Sequence, residues 1–214
     1  RTGIRKKHYY SSIFEQLERM CEGEVSQFEH RFDIEISEEK YIENIIGKTS
    51  AMFCIACEAG AYEGKCSDNE ISAIKRYAEN FGLIFQLRDD LMDFLPTGDL
   101  PGKIVHNDFW NGYYTLPAIH TFSDCRYGAE LRKIAMDIKN GLYSELADNR
   151  IAELISASDG FQYTLRIMDE YAKEAKQGLD VFKDSTARQK LLELVETVRL
   201  NAHKIVSDYL SDFP

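Results

Sequence analysis

The chain has 214 residues, 44% of them hydrophobic and 12% aromatic, which is material for one substantial core and too little for several domains. A formal charge of -10 and a pI near 5.0 argue against nucleic acid as a partner, because phosphate backbones are bound by clustered Lys and Arg. Any anionic substrate must then be met by a local group of cations or by divalent metal.

The elements in chain order all read as helices. Ile13 to Phe28 shows helical spacing at Ile13, Leu17, Met20 and Cys21. Glu38 to about Tyr62 is apolar almost all round after Tyr41. A third helix runs from Asn69 to Phe94, with Ser67 or Asp68 as N-cap and Glu70 in its first turn. Leu95 to Gly112 follows as the clear irregular stretch, containing Pro96, Gly98, Pro101, Gly102 and Gly112, and loops in such positions often carry function. Segments near 127–157, 159–178 and 186–211 continue the helical pattern, the last two with charged outer faces. Only four prolines interrupt the chain, no window alternates as a strand does, and no repeat of fixed period is evident. These observations predict an all-α fold in a single domain spanning residues 1–214.

The five cysteines are odd in number and lack the spacing of a disulfide framework, which fits a reducing, cytoplasmic setting. Cys54 and Cys57 form a C-x-x-C pair in an apolar run without a second Cys/His pair, and read as ordinary buried thiols. No apolar run reaches the roughly 18 to 20 residues that span a bilayer, and no signal peptide is evident. The chain begins at Arg1 rather than Met, so its natural start is expected upstream or removed.

One helix carries a costly pattern. In Gly82-Leu-Ile-Phe-Gln86-Leu-Arg88-Asp89-Asp90-Leu-Met-Asp93-Phe94, five residues (Gly82, Gln86, Asp89, Asp90 and Asp93) fall within an arc of about 100°, and apolar side chains occupy most of the remainder. Three carboxylates on one stripe repel each other, and they sit near a helix C-terminus, where the dipole prefers cations. Oxygen ligands without His or Cys suit a hard cation such as Mg²⁺, usually held by one or two carboxylates plus substrate phosphates; the alternative is a solvated acidic helix end. Lys48 precedes almost wholly apolar turns and calls for an anion, either an aspartate or a ligand phosphate. Lys103 follows Pro101-Gly102, where a turn can bring it back over the acidic stripe. Arg88 lies on the apolar arc and reads as a buried ion-pair partner; Tyr113 and Tyr114 read as packing residues.

These residues resemble the trans-isoprenyl diphosphate synthases over about Glu15 to Ala202. Gly23-Glu24-Val25-Ser26-Gln27 is similar to the family's G-E-x-x-Q, and Lys48-Thr49 to its K-T pair. Phe85 to Asp93 resembles F-Q-x-x-D-D-x-x-D, and Gly102-Lys103 with Asp108, Gly112 and Thr115-Leu116-Pro117 resembles G-K…D-x-x-x-G-x-x-T-L-P. The resemblance implies an antiparallel helical bundle around a central cavity, usually dimeric. It implies Mg²⁺ on Asp89, Asp90 and Asp93, an allylic prenyl diphosphate held by Lys48 and Lys103 with Gln27 lining its site, and Thr49 and Gln86 dipoles turned toward the developing carbocation. The co-substrate implied is isopentenyl diphosphate.

Two departures stand out. The family's earlier aspartate-rich motif has no counterpart, since Asp33 is the only aspartate before Asp68, and Tyr113 replaces a family lysine. The expectations are therefore an enzyme whose N-terminal helices are missing from this chain, a subunit of a heteromer that is inactive alone, or, less in keeping with the motif contexts, a terpene cyclase.

Overall fold

A computed structural model describes residues 2–95, 107–142 and 146–212. The described residues form helices α1 (Thr2–Glu29), α2 (Glu38–Ile45), α3 (Ala51–Glu63), α4 (Asp68–Phe94), α5 (Asn107–Trp110), α6 (Leu116–Phe122), α7 (Gly128–Lys139), α8 (Leu146–Ala157), α9 (Gly160–Gly178) and α10 (Thr186–Asp212), with no strand among them. The all-α expectation holds. Two boundaries differ from the sequence reading for definite reasons. Residues 127–157 are two helices, because Gly141 adopts φ +74° and Leu142 N–H bonds back to Asp137 O at 2.9 Å, a glycine-terminated helix end. The helix expected over 38–62 contains one π turn, Ile46–Ser50, between α2 and α3.

Capping explains the start of α4. Ser67 Oγ accepts from Glu70 N–H at 3.3 Å while Glu70 accepts from Ser67 N–H at 2.7 Å, a reciprocal capping box that selects Ser67 over Asp68.

The described contacts gather into two compact units, one of Arg1–Ser26, Ile42–Gln86 and Met168–Arg199, the other of Gln27–Tyr41, Leu87–Ile167 and Leu200–Pro214. In the first, helices approach to backbone contact: a methyl at Gly82 would lie 2.5 Å from Ser50 Cα, and one at Gly178 3.1 Å from Tyr77 N. Ala51, Cys54, Ala73, Tyr77, Ala78 and Val195 are buried around these crossings. The Tyr77 hydroxyl donates to Leu191 O at 3.0 Å, tying α4 to α10. In the second, Leu87, Leu91, Phe94, Phe109, Leu116, Leu131, Ile151 and Phe161 form the core. Gly112, at φ +79°, turns the chain under the Phe32 ring, and Phe32 N–H bonds to its carbonyl at 2.8 Å.

Candidate active site

In the first unit the π turn builds a small polar cluster. The Ala51 N–H reaches back five residues to Ile46 O, so one extra residue is fitted into the turn that presents Gly47, Lys48 and Thr49. Such bulges recur at functional sites. Two glycines let α1 lie against it: a methyl at Gly23 would come within 2.6 Å of Lys48 N, and one at Gly47 within 2.8 Å of Arg19 O. The Thr49 hydroxyl donates to Gln86 Oε1 at 2.8 Å, which orients the Gln86 amide from across the helix pair. Lys48 pairs with Glu24 at 3.4 Å, with 38% of its side chain exposed. The anion expected of Lys48 is thus at least partly an acid of the chain itself. An ion pair this exposed is worth little, and a phosphate can displace it.

In the second unit each aspartate of the acidic stripe has its own partner. Asp89 Oδ1 accepts from Arg88 Nη2 at 2.6 Å, and the Asp89 side chain remains 41% exposed. Arg88 is half-buried and paired, but with an acid of the stripe itself. Asp90, 2% exposed, accepts a hydrogen bond from the Tyr41 hydroxyl. Asp93, 8% exposed, accepts from the Asp108 backbone N–H at 3.0 Å, so it holds the start of α5 at the far side of the irregular stretch.

Burial pushes the Tyr41 hydroxyl well above the ordinary tyrosine range. The Asp90 charge and the hydrogen bond to it act in the same direction, and hydrogen bonding from the Leu116 backbone opposes them. Tyr41 therefore stays protonated and is a donor at any physiological pH.

Among the described residues, no three acidic, His or Cys side chains converge as a ready-made metal cage. A hard cation held by one or two carboxylates and completed by phosphate oxygens fits this donor set; a cage of all three aspartates does not. Gln27 is half-buried near the end of α1. Lys103 lies outside the described residues. The sequence reading missed Tyr41, Glu24 and the Asp108 amide. Glu24 stands inside the quoted G-E-x-x-Q run, whereas Tyr41 carries no signal beyond opening an apolar helix.

Burial and ring packing account for other residues that the sequence singles out. Burial pushes the Cys54 thiol up to about 12 and Cys57 to about 11, so neither is a nucleophile near neutrality. His120 stacks on Tyr163 with centroids 4.1 Å apart, and Tyr114 packs edge-on against Phe122 at 5.0 Å. No helix among the described residues is long and apolar enough to cross a membrane.

Comparison with known proteins gives this geometry a context. A short chain isoprenyl diphosphate synthase of Methanothermobacter thermautotrophicus is 29% identical over 199 residues, which cover 92% of this chain and 60% of that protein. Component 2 of the Bacillus subtilis heptaprenyl diphosphate synthase is 22% identical, over 92% of this chain and 55% of that protein. Among solved structures, a polyprenyl synthase of Caulobacter crescentus, crystallised with calcium and isoprenyl diphosphate, superposes with a TM-score of 0.81 at 30% identity. That match covers 90% of this chain and 58% of the other. The chain thus shares their all-helical fold and spans little more than half the length of these proteins. Its residues 4–147 match the polyprenyl synthetase family model, and the chain belongs to that family.

Proposed function

We propose that the protein to which this chain belongs is a trans-prenyltransferase that joins an allylic prenyl diphosphate to isopentenyl diphosphate. The observation that carries the reading is the acidic stripe on α4: two of its three aspartates are almost fully buried, a cost that a binding partner of opposite charge repays. Asp89, with Asp90 and Asp93 behind it, holds Mg²⁺. Lys48, released from Glu24, and Lys103 hold the diphosphate of the allylic substrate, and Gln27 lines its site.

The chemistry Mg²⁺ supplies when bound is neutralisation of charge on the leaving diphosphate. The allylic C–O bond breaks with its electron pair leaving on the diphosphate. The Thr49–Gln86 pair turns its dipoles toward the allylic carbocation. The alkene of isopentenyl diphosphate attacks that cation, and the proton lost from the new carbon chain passes to the departing diphosphate. Fixed charges and dipoles in a site that excludes water lower the barrier.

The test is transfer of labelled isopentenyl diphosphate to allylic diphosphates by the full-length protein. Mg²⁺-dependent formation of a longer prenyl diphosphate is expected, with kcat/KM falling about 100-fold or more in Lys48→Ala. Absence of transfer with every allylic chain length offered contradicts the reading. A second reading, a component of a heteromer inactive by itself, is favoured by the similarity to a named component protein. It predicts that the 214 residues alone show little turnover and gain it on adding a partner chain.

A further inference from the structure

The turn that leaves α1 is strained, and it places a cation. Phe32 has φ +61°, a conformation that a bulky L residue rarely adopts. Gly112, at φ +79°, faces it: the Phe32 N–H bonds to the Gly112 carbonyl at 2.8 Å, and a methyl at Gly112 would lie 2.5 Å from the Phe32 ring. Two left-handed residues thus lock the end of α1 onto the turn that follows α5. Strain of this kind persists where the surrounding structure over-determines it, and it clusters at active sites and ligand clamps.

Arg31 stands beside that lock. Its Nε donates to the Asn111 carbonyl, and its guanidinium carbon lies 5.0 Å from the centre of the Phe32 ring and 5.6 Å from that of Tyr113. Arg88, Arg132 and Arg199 each meet a carboxylate, whereas Arg31 is exposed and forms no ion pair among the described residues. Asp33, two residues on, is turned instead to the Glu35 N–H at 3.0 Å. One of the five N–H donors of the guanidinium is used, which leaves the four on Nη1 and Nη2 for an oxyanion, the geometry that binds phosphate in a bidentate way. A side chain already oriented by two rings and a carbonyl loses less freedom when it binds.

The same turn is tied to the acidic stripe. The Tyr113 N–H bonds to Asp108 O at 2.8 Å, and the Asp108 N–H bonds to Asp93 Oδ2 at 3.0 Å. Gln27, four residues before Arg31, lines the diphosphate site in the proposed function. Tyr113 stands where the family has a lysine, so a positive charge absent from position 113 is present on the guanidinium over its ring.

We infer that Arg31 is a substrate-binding residue that grips a diphosphate through its two terminal nitrogens, supplying the cation that Tyr113 does not. The inference rests on the proposed prenyl transfer.

The experiment is calorimetric titration of the full-length protein with isopentenyl diphosphate and, separately, with inorganic pyrophosphate plus Mg²⁺, for the wild type, Arg31→Met and the double variant Arg31→Met/Tyr113→Lys. Methionine keeps an apolar stem against the two rings and removes the charge. Arg31→Met is expected to weaken at least one of the two ligands about tenfold, and Tyr113→Lys to restore most of the loss. A loss confined to isopentenyl diphosphate assigns Arg31 to the co-substrate, and one confined to pyrophosphate with Mg²⁺ assigns it to the allylic diphosphate. If Arg31 only ties the turn, Arg31→Met lowers the melting temperature and leaves both affinities unchanged, or weakens them with no recovery on adding Tyr113→Lys; either result overturns the inference. Should Arg31→Met not fold, Arg31→Gln keeps a donor for the Asn111 carbonyl and is expected to show the same loss; unchanged affinities there are equally fatal. Failure of the wild type to bind either ligand is recognisable as the failure of the proposed function rather than of Arg31.

Discussion

At Thr49 a single hydroxyl fixes the orientation of Gln86, and its removal tests whether that orientation matters. Thr49→Val keeps the shape and leaves Gln86 Oε1 without its 2.8 Å donor. Steady-state kinetics of the full-length variant are expected to show kcat reduced about tenfold with KM nearly unchanged, at a stability cost of about 1 kcal/mol. An equal rise in KM would instead mark Gln86 as a ground-state contact. The acidic stripe is legible in the sequence, because three aspartates at helical spacing among apolar residues define one face. The partners of those aspartates are not. Tyr41 lies 49 residues from Asp90, and nothing in the local pattern of an apolar helix announces a hydroxyl aimed at a distant carboxylate. Lys48 stands out in the sequence for its apolar surroundings, whereas the α1 backbone that brings Glu24 beside it depends on Gly23 and Gly47, whose small size is informative only where the two segments touch.

At the scale of elements, the π turn and the glycine crossings place the functional side chains. A methyl at Gly82 would sit 2.5 Å from both Cα and Oγ of Ser50, the last residue of the π turn, and neither can retreat cheaply. Gly82→Ala is therefore expected to destabilise by about 1–3 kcal/mol in denaturant unfolding, and to displace the turn that carries Lys48 and Thr49. Ser67→Ala removes one half of the capping box and is expected to cost about 1 kcal/mol without touching the site, a useful contrast by the same measurement. Helix starts carry chemical signatures, and Ser67-x-x-Glu70 is readable as such, whereas the stop at Gly141 shows only in its positive φ. The π turn has no comparable signature. An extra residue within a helix leaves composition and polarity unchanged, so periodicity over 38–62 reads as one continuous helix.

For the molecule as a whole, the scarcity of proline and the absence of alternating windows made the all-helical class evident, while the grouping of distant segments into two compact units follows from long-range contacts that composition does not encode. Charge gives a whole-molecule prediction. Hydrogen bonds from Lys176 and then Arg199 hold the Glu196 carboxyl below its ordinary value of 4.5, and Arg150 does the same for Glu130. A depressed carboxylate binds fewer protons folded than unfolded. Its stabilisation is present above the ordinary value and is lost as pH falls through the folded one. Melting temperature is expected to decline as pH drops below about 4.5, less steeply in Lys176→Met, as differential scanning calorimetry can check. On α1, Tyr10, Phe14, Leu17, Val25 and Phe28 expose apolar side chains, Phe14 at 68% and Phe28 at 64%. The dimeric state that the family resemblance implies would bury such a face.

The proposed function requires the α4 aspartates to grip a divalent cation that in turn grips a diphosphate. The direct measurement is titration of this chain with inorganic pyrophosphate with and without Mg²⁺, repeated for Asp89→Ala. Binding is expected to require Mg²⁺ and to weaken about tenfold or more in the variant. Binding indifferent to the metal, or unaffected by loss of Asp89, would contradict it.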